Sequence, residues 1–199
     1  MPPDPLIPPH GGYKKLRTWK LGNLIYDATA AFCAQYYDRR DRTYDQMVQA
    51  ARSGVANIIE GSEASATSRK SELKLTNVAR ASQEELLADY QAFLRQRGLP
   101  EWEFDSHAVQ TFRRIKPETL EQLREFMAAL VADPALPTGT DKAARKAEVA
   151  GNVMICLIKQ ETYLLGRQIA RLAADFEQEG GFTERMHRIR TEVRKNGKV

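Results

Sequence analysis

From about Asp141 to Gln178 the chain runs without a proline through residues that favour helix, and at its centre Val153-Met154-Ile155-Cys156-Leu157-Ile158 is apolar on every side. A helix of this kind must be covered all the way round, either at the centre of a bundle or between subunits. Further along, Leu164, Leu165, Ile169, Leu172 and Phe176 return to a single stripe, so the second half of the helix has a wet side.

Other segments can supply the cover. Leu21, Leu24, Ile25, Ala28 and Phe32 recur at three and four, which predicts a first helix from Leu16 to about Tyr37. After the polar break Asp38 to Arg42, Thr43 and Gln46 have capping-box spacing. They predict a second helix with the stripe Tyr44, Met47, Val48, Ala51, Val55, Ile58 and Ile59, ending at Gly61. Gly61 to Thr67 reads as a loop. A third helix is expected from about Ser68 to Arg97, with Gly98-Leu99-Pro100 as its stop. A helical turn or two around Ala108 to Ile115, a short helix opened by Pro117 and reaching about Val131, and a loop from Asp133 to Thr140 come next. Beyond Gly180-Gly181, Phe182 to about Lys195 reads as a basic terminal helix. Strand-like alternation is missing, so the fold class is all-α: an antiparallel up-and-down four-helix bundle with a C-terminal helical extension. The expected divisions are a Pro-rich arm at 1–12, disordered or extended, a bundle at 13–178 and a basic tail at 179–199.

With 199 residues the chain can bury a core without a disulfide framework. Its cysteines, Cys33 and Cys156, lie inside apolar helical patterns and read as small buried hydrophobes, which suits a reducing cytoplasm. Met1 to Pro9 carries five prolines and no basic residue leading into an apolar run, and no stretch is apolar for long enough to span a bilayer. Neither secretion nor a membrane role is expected. The net charge of +4 leans toward anionic partners.

Candidate phosphate-binding cations fall in three groups: Lys14, Lys15, Arg17 and Lys20; Arg39, Arg40 and Arg42; and the densest, Arg185, Arg188, Arg190, Arg194 and Lys195 with Lys198. Each also reads as an ordinary solvated face. Trp19 and Tyr26, at helical spacing, read as core or interface residues. Asn57 and Glu60 on the second helix, with Ser82 and Glu85 on the third, are expected to form a structural polar network, and Arg80 is the cation expected beside Glu60. Glu184-Arg185-Met186-His187 is a single Glu-x-x-His, where a di-iron bundle needs two; no metal site, cofactor, phosphate-cradling loop or nucleophile–base pair is indicated. No enzyme is expected.

These segments resemble the four-helix-bundle family first met as products of intervening sequences in bacterial 23S ribosomal RNA genes. The resemblance covers about Tyr13 to Arg97. It is carried by Tyr13 to Lys20, Ile25 to Thr29, Ala50 to Gly61 with Asn57-Ile58-Ile59-Glu60-Gly61 the most specific piece, Glu72, and Ala81 to Leu86. Asn152 to Arg190, with Leu157-Ile158-Lys159-Gln160 and Gly180-Gly181-Phe182-Thr183-Glu184-Arg185, is similar to the extension called the four-helix-bundle suffix domain. The resemblance implies a bundle that assembles into a ring, often a pentamer, without enzymatic activity. In one branch, the accessory variability proteins of diversity-generating retroelements, it implies binding to nucleic acid and a reverse transcriptase. Val48-Gln49 stands where the family usually has paired arginines.

The resulting expectation is a non-enzymatic, homo-oligomeric helical scaffold in the cytoplasm whose basic surfaces bind RNA, DNA or a nucleic-acid enzyme. The alternative is a protein–protein assembly module without nucleic-acid binding. A third reading places a small-molecule site at a ring centre or between helices.

Overall fold

The computed structural model describes Ile7, residues 10–134 and residues 141–196. Every regular element among them is helical: a 3₁₀ turn Gly12–Lys15, then α1 Arg17–Tyr36, α2 Arg42–Ala64, α3 Arg69–Gln96, α4 His107–Ile115, α5 Leu120–Ala132, α6 Lys142–Glu179 and α7 Phe182–Asn196. Most of the expected arm lies outside the described residues, and its boundary at residue 12 falls in the 3₁₀ turn, which is tied down where the Gly11 N–H donates to the Ser62 carbonyl at 3.3 Å. Of the expected loop Asp133 to Thr140, residues 135–140 also lie outside them.

The helices close around one another. α1 packs on α2 and α6, α2 on α3, and α3 on α6, while the shorter α4 and α5 lie against α6. The all-apolar run on α6 is covered inside the chain: Val153, Leu157 and Ile158 have no exposed surface, Met154 and Ile155 almost none, and only Cys156 is half-buried. Ile25, Met47, Leu86 and Phe93 complete this centre, each stabilising the fold by about 1.5–3 kcal/mol through burial. Phe32 sits against Tyr90 and Phe93 with ring centroids 4.7 Å apart in both cases, and the buried Tyr90 hydroxyl donates to Thr29 Oγ1 at 3.1 Å. Trp19 and Leu16 pack on Ile58, Ala79 and Leu165, and Tyr26 packs on the main core, as their helical spacing suggests.

Three helix ends differ from expectation. α2 begins one residue after Asp41, whose carboxylate accepts the Thr43 N–H at 2.9 Å. An ionised acceptor upstream therefore caps the helix, and the Thr43–Gln46 box is not what starts it. α2 also runs through Gly61 to Ala64. A Cβ on Gly61 would stand 3.4 Å from the Glu72 carbonyl and 3.4 Å from Leu75 Cβ, so this glycine lies within the helix where α2 packs on α3 and does not end it. Pro117 precedes α5, which is capped by Thr119: its hydroxyl accepts the Gln122 N–H while Gln122 Oε1 accepts the Glu118 N–H. At the two ends of α3, Ser68 caps the start by accepting the Ser71 N–H, and Gly98, the predicted stop, takes a φ of +63°.

Candidate functional site

The charged candidates separate by their place along the bundle. Lys14 and Lys15 lie on the 3₁₀ turn, and Arg17 and Lys20 at the start of α1; all four are exposed. Arg39, Arg40 and Arg42 sit at the α1–α2 turn, one α1 length away, or about 30 Å for its twenty residues. There Arg39 approaches the Tyr44 ring at 6.0 Å, and Arg97 stacks 3.9 Å from the Phe93 ring while donating to the Tyr36 carbonyl. The two groups do not form one patch.

The tail group lies at the α2–α3 turn. Gly180, at φ +72°, breaks α6, and the Gly181 N–H donates to Glu184 Oε2 at 2.9 Å, which sets the first turn of α7. That bond uses the glutamate of the lone Glu-x-x-His; no group of three potential metal ligands occurs among the described residues. Arg185 and Arg188 then line one crevice with Ser65, Ala66 and Arg69 of the α2–α3 turn. Gly11, just before the 3₁₀ turn, donates its N–H to the Ser62 carbonyl in the last turn of α2. Arg185 and Arg188 therefore lie beside Arg69 at the start of α3, with the exposed Lys70 next in sequence, and the 3₁₀ turn that carries Lys14 and Lys15 packs on α2, whose Ser62 bonds Gly11. Sequence reasoning passed over Arg69 and Lys70, although their position just after the cap Ser68 marks them as belonging to a helix start. Acidic groups temper this end: Glu63 lies against Gly11, and Glu72 is half-buried, its carboxyl raised by burial against the lowering effect of Arg69. Arg190, Arg194 and Lys195 lie exposed farther along α7, whose apolar residues Phe182, Met186, Ile189 and Val193 recur at four, three and four.

The expected network of Asn57, Glu60, Ser82 and Glu85 does not form. The Asn57 amide donates at 2.8 Å to the Ser53 carbonyl of its own helix, and Glu60 and Glu85 are exposed. Arg80 pairs loosely with Glu84 at 3.8 Å and not with Glu60. The buried polar positions include Glu148 and Asn152 of α6, which accept from the Trp102 ring N–H and backbone N–H, and Gln83 of α3 and Glu161 of α6, both fully buried, whose side-chain polar atoms have no hydrogen-bond partner among the described residues. Gln83 and Glu161 each lie over a glycine. A Cβ on Gly54 would stand 2.3 Å from Gln83 Nε2, and one on Gly22 2.8 Å from Glu161 Oε1. Burial pushes the Glu161 carboxyl well above the ordinary carboxylate range.

Burial likewise raises both free thiols, Cys33 to about 12 and Cys156 to about 11, so neither carries appreciable thiolate at neutral pH. In the native protein both are expected to resist a thiol-specific chromogenic reagent and to react once denaturant is added. Immediate reaction of Cys33 in the folded state would contradict its burial.

Comparison of the chain with models of known protein families, with curated proteins and with solved structures finds no match. Among the described residues no helix is long and apolar enough to cross a membrane.

Proposed function

We propose that the chain is a non-enzymatic helical scaffold of the cytoplasm whose basic end, built around residues 62–69, binds RNA or DNA through its phosphates. The observation that carries this reading is that Arg185 and Arg188 of α7 share a crevice with the sequence-distant Arg69 at the α2–α3 turn, while Gly11, just ahead of Lys14 and Lys15, bonds Ser62 near the end of α2. Cations brought together this way neutralise neighbouring phosphates and release their counterions, a drive that needs no base-specific contact. The reading takes α1, α2, α3 and α6 as an antiparallel four-helix bundle with α7 as its extension. In its favour, contacts between neighbours run in opposite senses: Gly54 with Gln83 and Gly61 with Leu75, then Gly151 with Leu94 and Gly166 with Arg80. Kinship with the intervening-sequence four-helix-bundle family, and assembly into a homo-oligomeric ring such as a pentamer, belong to the same proposal. Repetition of the basic end by symmetry would raise avidity for a long polyanion. The run at Val153 to Ile158 does not bear on assembly, since the chain covers it itself.

The test is fluorescence anisotropy of labelled RNA and DNA against salt, alongside the mass in solution by light scattering. Binding is expected to fall linearly with salt on logarithmic axes. The double variant R185Q/R188Q should flatten the slope by about 0.9 for each phosphate that is no longer neutralised, whereas R39Q/R40Q at the far end should leave it unchanged. Absence of binding at low salt would sink the nucleic-acid reading and favour a protein-binding assembly module.

A further inference from the structure

On the side of the bundle away from α2 and α3, helices α1, α5 and α6 enclose a groove of about 870 Å³. Its origin is in side-chain size. α5 rests mainly on α6 and touches α1 only lightly. The facing positions are Ala28 and Ala31 on α1, Ala128 and Ala132 on α5, and Ala150 on α6, which leave the space between the three helices unfilled. Larger apolar side chains, Phe32, Met127, Val131, Val149 and Met154, form its floor and walls.

The polar lining gathers toward one end. Lys142, Arg145 and Lys146 occupy the opening turns of α6, and Gln35 and Tyr36 the last turn of α1. These meet, because Thr18 Oγ1 donates to Gln168 and Gly22 faces Glu161, so stepping forward along α1 to Tyr36 corresponds to stepping back along α6 to about Ala147. The mouth thus offers two ammonium groups, a guanidinium, an amide and a phenol. Arg124 adds a further cation at the α5 rim. Among the described residues no carboxylate lines the groove: Asp141 caps α6 by accepting the Ala144 N–H, and Asp133 lies outside the lining with its carbonyl bonded to Arg145. Arg145 Nε is buried and finds no acceptor among the described residues. From Lys146 to Met154 the apolar course of α6 covers about 12 Å at the helical rise.

We propose that this groove binds an anionic amphiphile, a medium-length acyl chain with a carboxylate head. The head sits among Lys142, Arg145, Lys146 and the Tyr36 hydroxyl, and the tail lies along Phe32, Val149 and Met154. The volume falls within the range of small-ligand sites, and cations gathered at one end of an apolar trough match a molecule with one charge and one long tail. An acidic peptide would need its charges spaced along the groove. The inference is independent of the nucleic-acid reading, since none of these residues belongs to the basic end built around residues 62–69.

Dodecanoate below its micelle concentration is the probe, measured by calorimetry and by displacement of a fluorescent fatty-acid analogue. Dodecanol and phosphatidylglycerol vesicles separate the contributions of head and bilayer. Saturable binding of dodecanoate is expected, with dodecanol weaker and vesicles not co-sedimenting. K142Q/K146Q changes only exposed side chains, and it should weaken dodecanoate by about tenfold or more because the carboxylate head then lacks its charge-assisted hydrogen bonds. A128W, at another exposed position, should fill the trough and abolish binding with the helical circular dichroism unchanged. No saturable binding of dodecanoate, equal binding of dodecanol with no effect of K142Q/K146Q, or vesicle binding without dodecanoate binding would each overturn the proposal.

Discussion

Glu161→Met is expected to raise the melting temperature by about 4–8 °C near neutral pH, from about 2 kcal/mol of added stability. Both carboxyl oxygens of Glu161 are buried without a donor among the described residues, and an orphaned buried polar group costs on the order of 1–3 kcal/mol. Methionine has similar reach, adapts its shape to the space beside Gly22, and asks for no hydrogen bond. Glu161→Gln separates the two costs, since it keeps the demand for partners and removes only the titration. Burial holds the folded-state pKa of this carboxyl above its ordinary value. Below that ordinary value both the folded and unfolded chains are protonated and the group is neutral in its effect. Above it the unfolded chain releases a proton that the folded chain retains, so stability falls as pH rises, until the folded carboxyl itself ionises. Glu72 and Asp89, raised mainly by burial, bend the curve in the same direction, so the informative quantity is the difference between the wild-type and Glu161→Gln curves. That difference should widen as pH rises from the acid side. Thermal melts across the pH range supply it. Parallel curves, or a Glu161→Met protein less stable than the wild type, would show that the carboxyl has a partner after all.

The opposite effect is expected at Gly54. Gly54→Val should lower the melting temperature by about 6–12 °C, a loss of about 3 kcal/mol. A single Cβ there would already stand 2.3 Å from Gln83 Nε2, 3.0 Å from Cδ and 3.3 Å from Cγ, so the whole amide arm obstructs it, and full burial leaves Gln83 no solvent to swing into. The better helix propensity of valine offsets only a few tenths of a kcal/mol. The Gln83→Ala change should restore part of the loss when combined with Gly54→Val, because it removes the obstructing arm along with an unsatisfied amide. A thermodynamic cycle over the four proteins measures this coupling. Additive losses would mean that the α2–α3 approach, and not the pair of side chains, limits what position 54 tolerates.

Most of the helical content is legible from spacing alone. The expected start near Ser68 and the stop at Gly98 describe α3 closely, since the helix runs Arg69–Gln96. Signals with two physical meanings were misleading. Gly61 has the composition of a helix end, yet it is buried inside α2 against α3 and the helix runs on to Ala64. Asn57 and Glu60 are polar residues on a helix, and their composition does not say which face they occupy; one bonds its own backbone and the other meets water. The buried pair did leave a trace. Glu161 stands three after Ile158 and four before Leu165, and Gln83 four after Ala79 and three before Leu86, which are the stripe positions of their helices.

Helix identity, the stop of α3 at Gly98 and the apolar centre of α6 follow from the sequence, because propensity, stop residues and the 3.6-residue period act over a few neighbouring residues. The tertiary structure alone decided the rest. Arg185 and Arg69 are far apart in sequence and line one crevice only because α7 lies against the α2–α3 turn. The alanines of α1, α5 and α6 are good helix formers wherever they stand. They bound a groove only because three separate helices turn those small side chains toward one another, which is a property of how the helices pack and of no single segment.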